Sequence, residues 1–255
     1  MIFLKSPEEI EKMSASGKLV AEILSEIRSR LKPGVTTQEL DLLALRLSVK
    51  KKARPAFKGY HGFPFSLCVS VNEEVVHGFP SGRRLVDGDI VSLDFGVCLD
   101  GYYGDAALTL AVGRVSPQAE RLIQVTKEAL FKGLEQARAG RRLGDISSAV
   151  QQHVEGHCFS VVRQFVGHGI GKALHEDPQI PNFGESGRGI LLKPGMVLAI
   201  EPMVNAGGSE VEIKADGWTA VTKDRSLSAH FEHTVAITDN GCRILTQDCQ
   251  GTALF

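Results

Sequence analysis

The sequence predicts an α+β domain in which two similar halves, with helices on the outside, share an antiparallel sheet. Three observations predict it. Capped, amphipathic segments alternate with short apolar strands. Local patterns recur about 107 residues apart, and no linker or low-complexity tract divides residues 1–255, so the chain reads as a single domain.

Ser6-Pro7-Glu8-Glu9 opens the first helix with an N-cap, a proline at the first helical position and an acid at the third. Ile10, Met13, Val20, Ile23, Leu24, Ile27 and Leu31 continue at helical spacing until Lys32-Pro33-Gly34 stops it. Thr36 with Glu39 caps a second helix, whose apolar stripe is Leu40, Leu43 and Leu47. An aromatic, glycine-rich loop covers 57–65. Strand patterns follow at 66–72, 90–98 and 102–112, then helices at 117–138 and 145–158. The remainder alternates short strands with Gly/Pro turns, at 160–166, 196–204, 211–213, 218–223, 231–238 and 242–245.

The recurrence has three parts. The stretch Gly34 to Leu40 resembles Gly140 to Ile146 at an offset of 106. His61-Gly62 matches His168-Gly169, and Gly88-strand-Asp94 matches Gly195-strand-Glu201, both at an offset of 107. Matches at nearly one offset imply two halves related by a pseudo-twofold axis.

Composition sets outer limits. Hydrophobic residues are 43% and charged residues 23%, globular values that exclude disorder and collagen. The net charge of -1 lacks the basic surplus that nucleic acid or an anionic membrane would attract. The N-terminal apolar run is too short for a signal peptide, and no segment is long enough to span a bilayer. Cys68, Cys98, Cys158, Cys242 and Cys249 form no CxxC pair and are odd in number, which fits reduced cytoplasmic thiols.

The informative feature is where the acids fall. Asp94 lies inside the apolar run 89–97, and Asp105 follows the Leu99-Asp100-Gly101 turn in the next strand. Glu201 follows the apolar run 196–200, and Glu232 sits between Phe231 and the run 233–237. An unpaired buried carboxylate costs several kcal/mol, of order ~3–5 when one partner of a buried pair is lost. Four acids in two matching pairs on one interior surface call for divalent cations, since one Lys or Arg would not offset their charge. Any one of them alone would read more simply as a strand-end acid or structural ion pair.

Histidines complete the set. Gly167-His168-Gly169-Ile170-Gly171 reads as a loop, from which His168 and His175 could reach a common site, and His77 is a third candidate. This spelling is not the dinucleotide-binding G-x-G-x-x-G. His153 and His157 stand four residues apart on a helix but lack the HExxH glutamate, so they read as a solvated or half-buried helix face. No G-x-S-x-G, S-x-x-K or P-loop occurs, and Cys68 and Cys98 read as small buried hydrophobes. Carboxylates and histidines without a nucleophile favour metal-activated water.

In order and local context, His77, Asp94, Asp105, His168, His175, Glu201 and Glu232 resemble the active-site set of type I methionine aminopeptidases. The strings 59–62, 167–171, 201–207 and 223–229 and Trp218 carry the same resemblance, which runs from Ser6 to about Leu245. It implies the pita-bread fold of the creatinase/aminopeptidase group, and a short bacterial form. By it, Asp94 chelates one metal, Asp105 and Glu232 bridge two, and His168 and Glu201 hold the other. Glu201 shuttles the proton, His175 stabilises the oxyanion, and His77 contacts the scissile amide nitrogen. Phe57, Tyr60, Phe63 and Trp218, with His77 and His175, border the substrate, and Asn72 and Ser228 match positions that help bind a monovalent cation. The implied cofactors are two divalent ions (Co, Mn, Fe or Zn) and one monovalent cation.

The implied substrates are Met-peptides of nascent chains, met in the cytoplasm and at the ribosome by a monomer. Phe57, Gly96, Ala106 and Leu174 depart from the commoner residues, Cys at the first, Thr at the next two and Phe at the last. Two other readings compete. One is a proline-specific aminopeptidase or dipeptidase of the same fold. The other is a binding module that has lost its metals, although no ligand is missing.

Overall fold

In the computed structural model, which describes residues 1–247, period-two alternation organises the molecule. The first half holds α1 (Pro7–Arg30), α2 (Thr37–Lys50), β1 (Arg54–Pro55), β2 (Cys68–Val71), β3 (Glu74–Val76), β4 (Ile90–Leu99) and β5 (Tyr102–Ala111). Then come α3 (Pro117–Gln136), α4 (Leu143–Gly156), β6 (Ser160–Val161), β7 (Gly167–Gly169), β8 (Glu176–Ile180) and β9 (Val197–Ile200). The chain continues through β10 (Met203–Asn205), β11 (Val211–Ile213), β12 (Ala220–Thr222), β13 (Ser228–His230), β14 (Glu232–Thr238) and β15 (Gly241–Ile244).

A nine-stranded antiparallel sheet runs β1-β4-β5-β14-β9-β7-β8, with β2 also on β4 and β15 on β14. Two three-stranded sheets, β13-β10-β6 and β11-β12-β3, stand beside it. Val91, Leu93, Phe95 and Val97 of β4 share one core cluster with Leu19, Val20, Ile23, Leu24 and Ile27 of α1. The alternate residues of the same strand, Asp94 and Gly96 among them, therefore face away from the helix. One strand carries the helix-packing core on one face and the polar positions on the other.

The helix starts follow the sequence. Ser6 and Glu9 form a capping box, as do Thr36 and Glu39. The helix expected at 145–158 begins at Leu143, because Asp145 is its third residue and accepts from the Arg142 N–H at 2.8 Å. The long strand expected at 196–204 divides at Glu201-Pro202, where proline has no N–H for the ladder. The 160–166 strand shrinks to two residues, and the presumed loop at Gly167–Gly169 is β7, paired with both β8 and β9. The short strands β1, β3 and β8 had no periodic signal to find them.

The pseudo-twofold repeat is present in the backbone hydrogen bonds. Gly34 N–H donates to Leu85 O and Leu85 N–H to Val35 O; Gly140 N–H donates to Leu192 O and Leu192 N–H to Arg141 O. The isolated bridges Thr36–Arg84 and Arg142–Leu191 match in the same way. Ladder partners extend the correspondence, since Ile90 pairs with Ala111 as Val197 pairs with Ala236. Asp94 and Glu201 are thus equivalent. Two expected matches are corrected by the same registers. Glu232 corresponds to Ala107, its own cross-strand partner on the axis, rather than to Asp105. His168, opposite Ala199, corresponds to Ser70, opposite Ser92, rather than to His61.

Among the described residues no helix is long and apolar enough to cross a membrane. Cys68, Cys98, Cys158 and Cys242 are free thiols, and Cys249 lies outside the described residues.

Two measurements probe this frame. A Cβ built on Gly17 in α1 would stand 2.4 Å from the Leu245 carbonyl oxygen. Gly17→Ala is expected to destabilise the protein by about 1–3 kcal/mol in urea unfolding, and an unchanged midpoint would contradict the close approach. The Ser6 N–H, then the Tyr102 hydroxyl and Lys172, hold the Glu9 carboxyl at about 2, below its ordinary 4.5. Its contribution is therefore full above pH 4.5 and lost as pH falls towards 2. Glu9→Gln should cost about 0.3–1.5 kcal/mol at neutral pH, with the gap from wild type closing in acid.

Candidate metal centre

Strand parity brings the expected ligands together. Asp105 lies opposite Gly96, so Asp94 and Asp105 are diagonal neighbours on one face. Glu232 lies opposite Ala107, itself opposite Asp94. Thr234 lies opposite Ala199, which faces His168 on its other side. Glu201 continues the Ala199 side just past the end of β9. All five residues thus point to the face turned from α1, although they come from four strands and one strand end.

There they line a cavity of about 240 Å³, together with Phe57, Tyr60, His61, Phe63, Cys68, His77, Leu174, His175 and Trp218. Larger hollows lie along α1 and α2 and beneath the N-terminal segment, but neither gathers a comparable set of buried titratable groups. Asp105, His168 and Glu232 each present a ligand atom within 4.8 Å of the others, and so do Glu201, His230 and Glu232.

His168 is aimed by its backbone. Its Nδ1 is 2.9 Å from the Gly169 carbonyl, to which it donates, and Nε2 is left 3.5 Å from Glu201 Oε1. The flanking glycines have a packing reason: a Cβ at 167 would meet the Ala199 carbonyl at 2.4 Å, and one at 169 the Asp177 carbonyl at 2.1 Å. Burial, then the neighbouring His175, lowers the His168 pKa to about 3, so the ring is neutral and its lone pair is available.

The carboxylates are shifted the other way. Burial pushes Asp94 up to about 7, with His230 opposing and Glu201 adding. Burial likewise raises Glu201 well above the carboxylate range. Asp105 and Glu232 are raised by burial and then by the other acids around them. Asp94 Oδ1, Asp105 Oδ1 and Glu232 Oε1 are buried without any hydrogen-bond partner. Three partnerless oxygens, mutually repelling carboxylates and a neutral imidazole are the donor set that hard or borderline divalent cations satisfy.

His77 and His175 flank the set differently. Burial, then His230 and His175, lowers the His77 pKa to about 4. His77 adopts φ 59°, a left-handed conformation that costs a non-glycine residue about 1–3 kcal/mol. His175 stands at the cavity mouth with its Nδ1 2.7 Å from the Tyr60 hydroxyl; its ring packs against His168 at 4.2 Å between centroids. Protein on the cavity side, then His61, lowers its pKa as well. Phe63 meets Trp218 edge-on at 5.2 Å.

Asn72 and Ser228 lie apart from this cavity. The Ser228 N–H donates to the Asn72 carbonyl, but both side chains are committed, Asn72 to Asp89 and the Ile90 N–H and Ser228 to Asn205. Among the departures, a Cβ at Gly96 would stand 3.1 Å from Asp105 Oδ1, so glycine there leaves that oxygen without a hydroxyl beside it. Phe57 and Leu174 line the cavity wall directly. His230 is the residue missed in the sequence. It is fully buried, neither ring nitrogen has a hydrogen-bond partner, and Nε2 is 3.4 Å from Glu201 Oε2. Its position two residues before Glu232 was the available signal. Cys68, opposite Asp94, is a second cavity residue that had been read only as core.

A candidate metal centre carried by a pseudo-symmetric antiparallel sheet points to a class of metal-dependent hydrolases, and comparison with known proteins agrees. The model of metallopeptidase family M24 matches residues 11–239, and the chain belongs to that family. Its fold is the pita-bread fold. More particularly, it is 56% identical to a methionine aminopeptidase of Clostridium perfringens, over 96% of this chain and 99% of the relative. It is 54% identical to methionine aminopeptidase 1 of Bacillus subtilis, over 97% of this chain and 100% of the relative. The methionine aminopeptidase structure from Thermotoga maritima superposes with a TM-score of 0.96 at 51% identity, covering 97% of this chain and 100% of that one. A prolidase from Pyrococcus furiosus shares the fold, with a TM-score of 0.79 at 23% identity, covering 96% of this chain and 65% of that one.

Family membership implies divalent metal. Chelator-treated protein at neutral pH is expected to gain thermal stability when Mn(II) is restored. The gain is about 3–4 kcal/mol at hundred- to thousandfold excess over Kd, and Asp105→Ala should remove most of it. A melting temperature indifferent to metal in the wild type would contradict the donor set.

Proposed function

We propose that this chain hydrolyses the first peptide bond of chains that begin with methionine, releasing free methionine. The observation that carries the reading is one cavity whose floor is the five-residue donor set and whose wall is aromatic. High identity to methionine aminopeptidases over the whole chain supports it. The prolidase likeness reaches only to the fold, which makes the proline-specific reading the weaker one.

In this reading Asp94, Asp105, His168, Glu201 and Glu232 would hold two divalent ions. When bound, these ions supply an acidified water and a Lewis-acid pull on the carbonyl oxygen. The chain's own groups do the rest. Glu201, which borders the attacking water, accepts its proton and returns it to the departing amine. His175 is held by the Tyr60 hydroxyl at Nδ1, so its Nε2–H can donate to the developing oxyanion. His77, neutral at pH 7, contacts the scissile amide nitrogen as a hydrogen-bond partner rather than as a charged acid.

Phe57, Tyr60, Phe63 and Trp218 form the wall against which a thioether side chain packs, since sulfur and aromatic rings attract. The substrates are nascent chains, met in the cytoplasm and at the ribosome, and the working unit is one catalytic domain as a monomer.

Met-Ala-Ser should lose its methionine in the presence of metal, while X-Pro dipeptides remain intact. Chelation should abolish release. His175→Ala should lower kcat about 10²–10³-fold with little change in KM, the effect of removing one oxyanion donor. A metal-loaded wild type that left Met-Ala-Ser uncut while cleaving X-Pro peptides would replace this reading with the proline-specific one.

A further inference from the structure

Outside the sheet, α3 and α4 bring two imidazoles and a carboxylate to one point. Glu128 comes from α3, His153 from the last turn of α4 and His157 from the C-cap that ends it. Each offers a ligand atom within 4.8 Å of the other two, and all three are half-buried. His153 Nε2 is 3.1 Å from Glu128 Oε2, and the two imidazole centroids are 4.6 Å apart. None of the three lines the cavity beside the sheet.

The side chains are also pre-oriented. His157 Nδ1 donates to the His153 carbonyl at 2.8 Å, which leaves the Nε2 lone pair for another partner. Gln124 donates to Glu128 Oε1 at 2.6 Å and leaves Oε2 turned to His153. Hydrogen bonds of this kind, behind the ligand atoms, fix the tautomer and direction of metal-binding side chains. The histidine pair reads as an ordinary helix face in the sequence because the residue after His153 is Val154, not the glutamate of HExxH. The carboxylate comes from the neighbouring helix.

We propose that Glu128, His153 and His157 bind one divalent transition-metal ion, separate from the catalytic centre, with water as the fourth ligand. Two imidazoles and one carboxylate favour Zn(II), Ni(II) or Cu(II) over Mg(II) or Ca(II). Tetrahedral bonds of about 2.0–2.2 Å place ligand atoms roughly 3.3–3.5 Å apart, close to the His153–Glu128 spacing. The ion clasps α3 to α4, whose Val125, Ala129, Val150 and Val154 already share a core. Its effect is on the stability of that helix pair rather than on the reaction.

The test uses the whole chain and Zn(II). Wild type, Glu128→Gln and His157→Gln are dialysed to equilibrium against the same buffered free Zn(II), at a level that saturates the catalytic centre, and metal per chain is measured. Each variant should hold one equivalent less than wild type. The Zn(II)-dependent rise in melting temperature should shrink by the same increment in both, while their Mn(II)-supported peptidase activity stays at the wild-type level. Equal metal content and equal thermal shifts in all three proteins would overturn the proposal. Metal-free melting reports the fold, and Glu128→Gln, the more conservative change, decides the matter if His157→Gln lowers it. A catalytic centre that failed to bind would lower all three counts together and leave the difference between them intact, so the two readings fail separately.

Discussion

Mutual repulsion among buried carboxylates is the constraint on which the rest of this structure depends. Asp94, Asp105, Glu201 and Glu232 occupy one low-dielectric surface, and each is pushed by burial towards its protonated form. Without a counter-charge the arrangement opposes folding. With divalent cations the same repulsion becomes affinity, because bare oxygens such as Asp105 Oδ1 have no competing partner within the protein. The chain thus holds its donors in an arrangement that the protein alone does not satisfy.

What makes this tolerable is the division of labour across each strand. On β4, Leu93 and Phe95 are wholly buried on the helix side and Asp94 lies between them. The hydrophobic contacts that hold the sheet are made on one face, so the other is free to carry groups that weaken it. At roughly 1.5–3 kcal/mol for each large apolar side chain fully buried, Leu93, Phe95 and their partners on α1 offset a local loss on the opposite side. Stability and chemistry are separated by the alternation of side chains rather than by distance.

That alternation is also why much of the site was legible in the sequence. An acid inside an apolar strand is conspicuous, and Asp94 and Glu201 lay at one repeat offset, which the backbone hydrogen bonds bear out. The parts that were misread lack such a local signature. Glu232 corresponds to Ala107, because the twofold axis passes between those two residues, a fact of register invisible in spacing. The glycines around His168 suggested a loop, whereas they admit neighbouring carbonyls to a buried strand. His230 went unnoticed because a lone histidine before a strand resembles any core histidine until Glu201 is seen beside it. The Glu128 partner of the α4 histidines was hidden for a similar reason, since it comes from a different helix.

The order of the donors along the chain has a consequence for biosynthesis. Asp94 and Asp105 lie in one half of the repeat, His168, Glu201 and Glu232 in the other, and β14, which carries Glu232, is the central strand that joins β5 to β9. A ribosome emitting this chain from its N-terminus releases a half-sheet with two acids long before the strand that unites it with the rest. The full donor set is therefore complete only once β14 has been synthesised and has paired with β5 on one side and β9 on the other.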